Sequence, residues 1–226
     1  MNPLEEHTMK LKYGITAGVM FAVMMFSSLA FADNEKVYSV TITNITKGTL
    51  FTPILVVTHK PGHPVFQLGE PASEELIAIA EGGDTQPFQD KLLGSGMGYD
   101  AVSTGAPLLP GESVTVTVKT NGRFNHVSLA AMLLPTNDGF VAINGMRLPY
   151  RMNTTVVPGY DAGSEINDEL CDNIPGPHCG GSPFSVEDGE GYVHIHNGIH
   201  GIGGELSASD YDWKNPVAYV KIVRAK

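Results

Sequence analysis

The sequence predicts a mostly β fold, an antiparallel β-sandwich with one or two short helices. Three observations predict it. Several short segments alternate apolar and polar residues, the period of a strand with one buried face. One segment alone carries a clear helical pattern. Glycine- and proline-rich turns separate the segments at short intervals.

Residues 37–44 alternate with β-branched side chains and predict the first strand. Residues 51–58 predict a second, with Pro53 near its start and Pro61-Gly62-His63-Pro64 as its stop. Ser73 is placed to cap a helix over 74–81, with Glu74 and Glu75 in its first turn and Gly82-Gly83 behind it. That helix is about two turns long and needs tertiary packing to persist. Residues 113–120 alternate cleanly, and Asn121-Gly122 predicts a type I′ hairpin. The returning strand, 124–134, becomes apolar on both faces and is expected to lie centrally. Residues 140–143, 191–195 and 217–223 predict further strands. Between 158 and 191 the chain is rich in Gly, Pro, Asp and Asn, the composition of a long functional or disordered loop.

The N-terminus carries Lys10 and Lys12, an apolar run over 15–29, and then Ala30-Phe31-Ala32 before a polar stretch. These are the three parts of a cleavable secretory signal over residues 1–32, with Met9 as a possible true start. The apolar run is shorter than the roughly 20 residues of a spanning helix. A single domain is expected over 33–226, with no transmembrane segment in the mature chain. Removing 1–32 takes two charges of each sign, so the net charge stays at −10. Such a surface repels phosphate backbones, which argues against nucleic-acid partners, and it suits cations. Cys171 and Cys179 are the two cysteines of the chain. In an oxidising compartment they are expected to form a disulfide closing a short loop.

Several segments are distinctive in combination. They are Pro71-Ala72-Ser73-Glu74-Glu75-Leu76 with Glu81-Gly82-Gly83-Asp84-Thr85, Leu133-Leu134-Pro135-Thr136-Asn137-Asp138-Gly139-Phe140, and Tyr160-Asp161-Ala162-Gly163-Ser164-Glu165. Asn197-Gly198-Ile199-His200-Gly201 and Asp212-Trp213-Lys214-Asn215-Pro216 follow. In this order they resemble the spondin N-terminal domain in its bacterial, single-domain form, from about residue 37 to 224. The resemblance implies a C2-like sandwich, an extracellular setting and a Ca²⁺ site at one end. Carried over position by position, the calcium carboxylates are Asp138, Asp161 and Glu165. Two departures stand out. Asn137-Asp138-Gly139-Phe140 occupies the place of a Pro-Asp-Trp run, and Glu165 replaces an aspartate. The carboxylate set is chemically sensible in itself, because Ca²⁺ takes 6–8 oxygens from carboxylates, carbonyls and waters. The alternative is that these are solvated turn residues.

A competing metal signal lies in His194, His196 and His200. On a strand, His194 and His196 share a face, a geometry that grips zinc or copper. Catalysis has little support, since no G-x-S-x-G elbow and no phosphate loop is present. Asn44-Ile45-Thr46 and Asn153-Thr154-Thr155 match the glycosylation pattern. Trp213, the single tryptophan, is expected in the core. The sequence therefore predicts a periplasmic or secreted calcium-binding module that meets an extracellular protein or glycan and is not an enzyme. The rival is a secreted copper- or zinc-binding protein or metalloenzyme.

Overall fold

The computed structural model describes residues 35–184 and 189–225. The expected signal over 1–32 lies outside them. Among the described residues, no helix is long and apolar enough to cross a membrane.

The strands are β1 (Lys36–Asn44), β2 (Leu50–Phe51), β3 (Leu55–His59), β4 (Gly98–Ser103), β5 (Ser113–Thr120) and β6 (His126–Leu134). They continue as β7 (Gly139–Arg147), β8 (Met152–Val157), β9 (Gly159–Asp161), β10 (His194–Ile195) and β11 (Ala218–Arg224). Among the described residues three short α-helices accompany them: α1 (Glu74–Gly82), α2 (Gln86–Gly94) and α3 (Ala208–Tyr211). One sheet runs β5-β1-β11-β8. The second runs β10-β9-β7-β6-β3-β4, with β2 attached to β6. Every pairing is antiparallel. The fold is the predicted β-sandwich.

The main core fills the space between the sheets. Val40, Ile42, Val220 and Ile222 meet Val56, Leu129, Ala131 and Val141 there. A second core covers the outer face of the larger sheet. Leu76 and Ile79 of α1 and Phe88 and Leu92 of α2 pack on Leu55, Val57, Ala130 and Phe140. Strand β3 sends alternate residues into two different cores, and β6 buries Ala130 in one and its other apolar residues in the other, which is why neither shows a polar period. Fully burying one such side chain contributes about 1.5–3 kcal/mol.

The expected 113–134 hairpin does not form. β5 pairs with β1 in one sheet, whereas β6 lies between β3 and β7 in the other. Asn121-Gly122 turns the chain between sheets, with the Phe124 N–H donating to the Asn121 carbonyl at 2.9 Å. The reason is burial. β6 is apolar on both faces and needs cover on both, which the interior of the larger sheet provides. The segment expected as one strand over 51–58 is broken around Pro53 into β2 and β3. Helix α1 forms as expected, with Ser73 Oγ accepting the Leu76 N–H. Helices α2 and α3 and strands β4, β8 and β9 lie outside the predicted elements, so three short helices stand where one or two are expected. The proline at the start of α2 is a helix-entry signal.

Cys171 and Cys179 are disulfide-bonded. Trp213 is buried in the main core. Asn44 is also buried, with its amide donating to the carbonyls of Thr49 and Leu108 at 2.8 and 3.1 Å. It is therefore no accessible glycosylation acceptor.

Candidate metal centre

At one end of the larger sheet, β7, β9 and β10 bring three chain segments side by side. Gly139 pairs with Asp161, and Asp161 pairs with His194. Asp138, one residue before β7, lies beside Asp161, and the Ala162 N–H donates to the Asp138 carbonyl at 3.2 Å. Asp138, Asp161 and Glu165 are all buried, at 0%, 1% and 1% exposure.

The turn after Asp161 ties the two aspartates to one stretch of backbone. The Gly163 N–H donates to Asp161 Oδ1 at 2.8 Å, an Asx turn. Gly163 has φ +68°, and a Cβ there would clash with the Tyr192 carbonyl oxygen, so the position requires glycine. The turn then aims the Ser164 and Glu165 N–H groups at Asp138 Oδ2, at 2.8 and 3.1 Å. Asp138 Oδ1 is buried and has no hydrogen-bond partner among the described residues.

The electrostatics follow from burial. Asp138 is pushed up to about 7, first by desolvation and then by the charge of Asp161, against the two N–H donors. Asp161 is also raised by burial, opposed by the Asn167 amide, by His194 and by the Gly163 N–H. Glu81 of α1 is likewise raised by burial, against a hydrogen bond from Ser164.

Asp161, Glu190 and His194 present ligand atoms that all lie within 4.8 Å of one another. His194 Nε2 is 3.5 Å from Asp161 Oδ1 and 3.8 Å from Glu190 Oε2. Burial works against the imidazolium of His194, but the Ile195 carbonyl and the surrounding carboxylates outweigh it and raise its pKa. Asn167 joins the group, donating to Asp161 Oδ2 at 2.7 Å and approaching Glu190 Oε1 at 3.4 Å. Sequence reasoning missed Glu190 and Asn167. The available signal was a carboxylate between Gly189 and Gly191, directly before the histidine segment.

The three histidines have different surroundings. His194 and His196 do share a face, both directed at Asp161. His196, however, is buried, and its Nδ1 accepts the Gly198 N–H at 2.9 Å. The neutral ring therefore carries its proton on Nε2, 4.0 Å from Asp161 Oδ2. Burial first, then the charges of His194 and His200, hold its pKa down at about 3. Coordination through Nε2 would require the proton to move to Nδ1 and would break the Gly198 bond. His200 sits on a loop fixed by Glu169, whose carboxylate accepts the N–H groups of His200, Gly201 and Ile202 at 2.6, 2.5 and 2.9 Å. Asp168 is similarly saturated by Asn137, Leu170 and Asn173.

Fold and geometry together define a class: a two-sheet antiparallel sandwich with a buried acidic group where three segments meet at one end of a sheet. The family model described as Spondin_N matches residues 36–165. That is more than half of the chain, and this protein belongs to the spondin N-terminal domain family. The matched region ends on Glu165 and contains all three candidate carboxylates. No curated protein matches the chain. Family membership points to a β-sandwich module of the binding or adhesion type.

Proposed function

We propose that the protein is an extracytoplasmic binding or adhesion module, without catalysis, that takes Ca²⁺ at the end of the sandwich formed by Asp138, Asp161 and Glu165. One observation carries this reading. Asp138 Oδ1 is a buried carboxylate oxygen with no hydrogen-bond partner among the described residues, placed beside a second buried carboxylate. A buried charge so placed costs several kcal/mol unless a counter-charge meets it. A hard divalent cation supplies that charge and takes oxygen ligands. Asp138 and Asp161 would hold it, with Glu165 as the third carboxylate. The chain's own contribution is the Gly163 turn, which ties the Ser164 and Glu165 backbone to the Asp138 carboxylate before any cation arrives.

The disulfide and the family's extracellular setting support export. The non-catalytic reading is supported by the burial of a serine–histidine pair. His59 Nε2 is 2.9 Å from Ser128 Oγ, but both residues are sealed at 0% exposure and meet no substrate. The mixed group of Asp161, Glu190 and His194 favours a second reading, a zinc or copper site, because it offers an imidazole nitrogen. Metal analysis of the purified protein after dialysis separates the two. Calcium retained by wild type and by His194→Ala, but lost in Asp138→Asn, is the expected result. Stoichiometric zinc or copper lost in His194→Ala would replace the calcium assignment with the second reading.

A further inference from the structure

The chain has four arginines. Three of them, Arg147, Arg151 and Arg224, line two neighbouring cavities at the end of the sandwich opposite the acidic group, and the fourth, Arg123, follows Gly122 on the rim. Strand β7 is the ruler. It begins at the acidic group and ends at Arg147, roughly 25 Å away at about 3.4 Å per residue. The cavities measure about 500 and about 550 Å³, and Tyr150 and Arg224 form their common wall. Lys36 adds a further cation to the first. No aspartate or glutamate lines either one. None of these five cations is ion-paired with a carboxylate among the described residues, whereas Lys47, Lys91 and Lys119 elsewhere are.

We propose that this paired cavity is a binding site for a short acidic oligosaccharide, with arginines taking its carboxylates and Tyr150 taking a sugar face. The chemistry of the lining supports this class of ligand. Arginine presents a planar fork that matches a carboxylate bidentately, which lysine does not. Concentrating every arginine of an acidic protein at one end therefore builds recognition rather than diffuse charge. Tyr150 is 79% exposed, an uncommon position for so large a ring, and Arg224 lies over it at 5.9 Å from the centroid. An exposed ring held by a cation offers a flat apolar face beside an anion site. Below them buried Tyr38 donates its hydroxyl to the Pro149 carbonyl at 3.0 Å and ties the 149–150 segment to β1. Asn125 and Thr120 add neutral polar groups at the wall. The net charge of −10 limits the ligand's length, since a long polyanion would be repelled by the rest of the surface.

The site is independent of the cation reading, so the test is run in chelator, where the two cannot be confused. Trigalacturonic acid, its neutral galactose counterpart, acetate, sulfate and a glutamate tetrapeptide are titrated calorimetrically against the full mature chain. The trisaccharide is expected to bind at least about tenfold more tightly than the neutral sugar and the small anions. Arg147→Ala and Arg224→Ala should each weaken it about tenfold, with Arg147→Lys recovering only part. Tyr150→Ala should weaken the trisaccharide while leaving acetate unchanged. These side chains are at the surface, and unchanged melting curves would verify that the variants fold. The proposal is overturned if the trisaccharide does not bind up to about 10 mM. It is equally overturned if the neutral sugar or acetate binds as well, if the acidic peptide binds more tightly, or if the arginine variants bind like wild type.

Discussion

Asp138 and Asp161 stand side by side at the end of the β7–β9 ladder, two buried carboxylates of which one has an oxygen without a hydrogen-bond partner among the described residues. The pairing is imposed by backbone register and not by mutual attraction. The sandwich thus holds two like charges together, and the cost is released when a cation or a proton arrives.

Calcium should therefore stabilise the protein. A hundredfold excess over Kd adds about 2.7 kcal/mol when only the folded state binds. The melting temperature is expected to rise in millimolar CaCl₂ and to fall in chelator, with Mg²⁺ less effective because it demands a tight octahedral shell. Asp138→Asn should abolish most of this response, whereas Asp172→Asn should preserve it. Identical wild-type curves in calcium and chelator would remove the calcium assignment.

The same pair predicts a pH dependence. The folded pKa of Asp138, about 7, lies above its ordinary value of 3.8. Its favourable contribution in the metal-free protein is therefore complete below about pH 4 and is lost as pH rises towards 7. In chelator, the stability of Asp138→Asn relative to wild type should increase across that window by up to a few kcal/mol and then level off. Calcium affinity should move the opposite way, tightening as the proton leaves. A relative stability that does not change with pH, measured by chemical denaturation, would contradict the assigned protonation.

Glu169 is predicted to act as a structural clamp. Its carboxylate satisfies three consecutive N–H groups of the 200–202 loop. Glu169→Ala removes three charge-assisted bonds from part-buried amides and should cost about 1–3 kcal/mol. Hydrogen exchange would register it as lost protection at Gly201 and Ile202. Protected amides in the variant would mean that other contacts hold the loop.

The disulfide closes a loop with a sequence separation of 8. Replacing both cysteines by serine should lower the unfolding free energy by about 2–3 kcal/mol. Urea titration tests this, and a loss far above that range would mean that the bridge also organises the main core, against which both cysteines pack.

By itself the sequence determined the fold class, strand β1, helix α1 with its Ser73 cap, the disulfide and the place of Trp213. Each of these depends on short-range signals: a period of two, a capping side chain, two cysteines, one large apolar ring. It also singled out Asp138, Asp161 and Glu165 through a resemblance, although nothing in their spacing requires them to meet. Only the tertiary structure decided that β5 and β6 belong to different sheets. Asn121-Gly122 specifies a turn, but the two-sided burial of β6 selects its neighbours, and that choice is made by packing across the whole sandwich. Glu190 and the arginine end were invisible for the same reason. Glu190 reaches Asp161 through the pairing of β9 with β10, and Arg147 and Arg224 line one cavity because strands from both sheets end beside it. A linear sequence records neither proximity, since both are created by register and by the stacking of the two sheets.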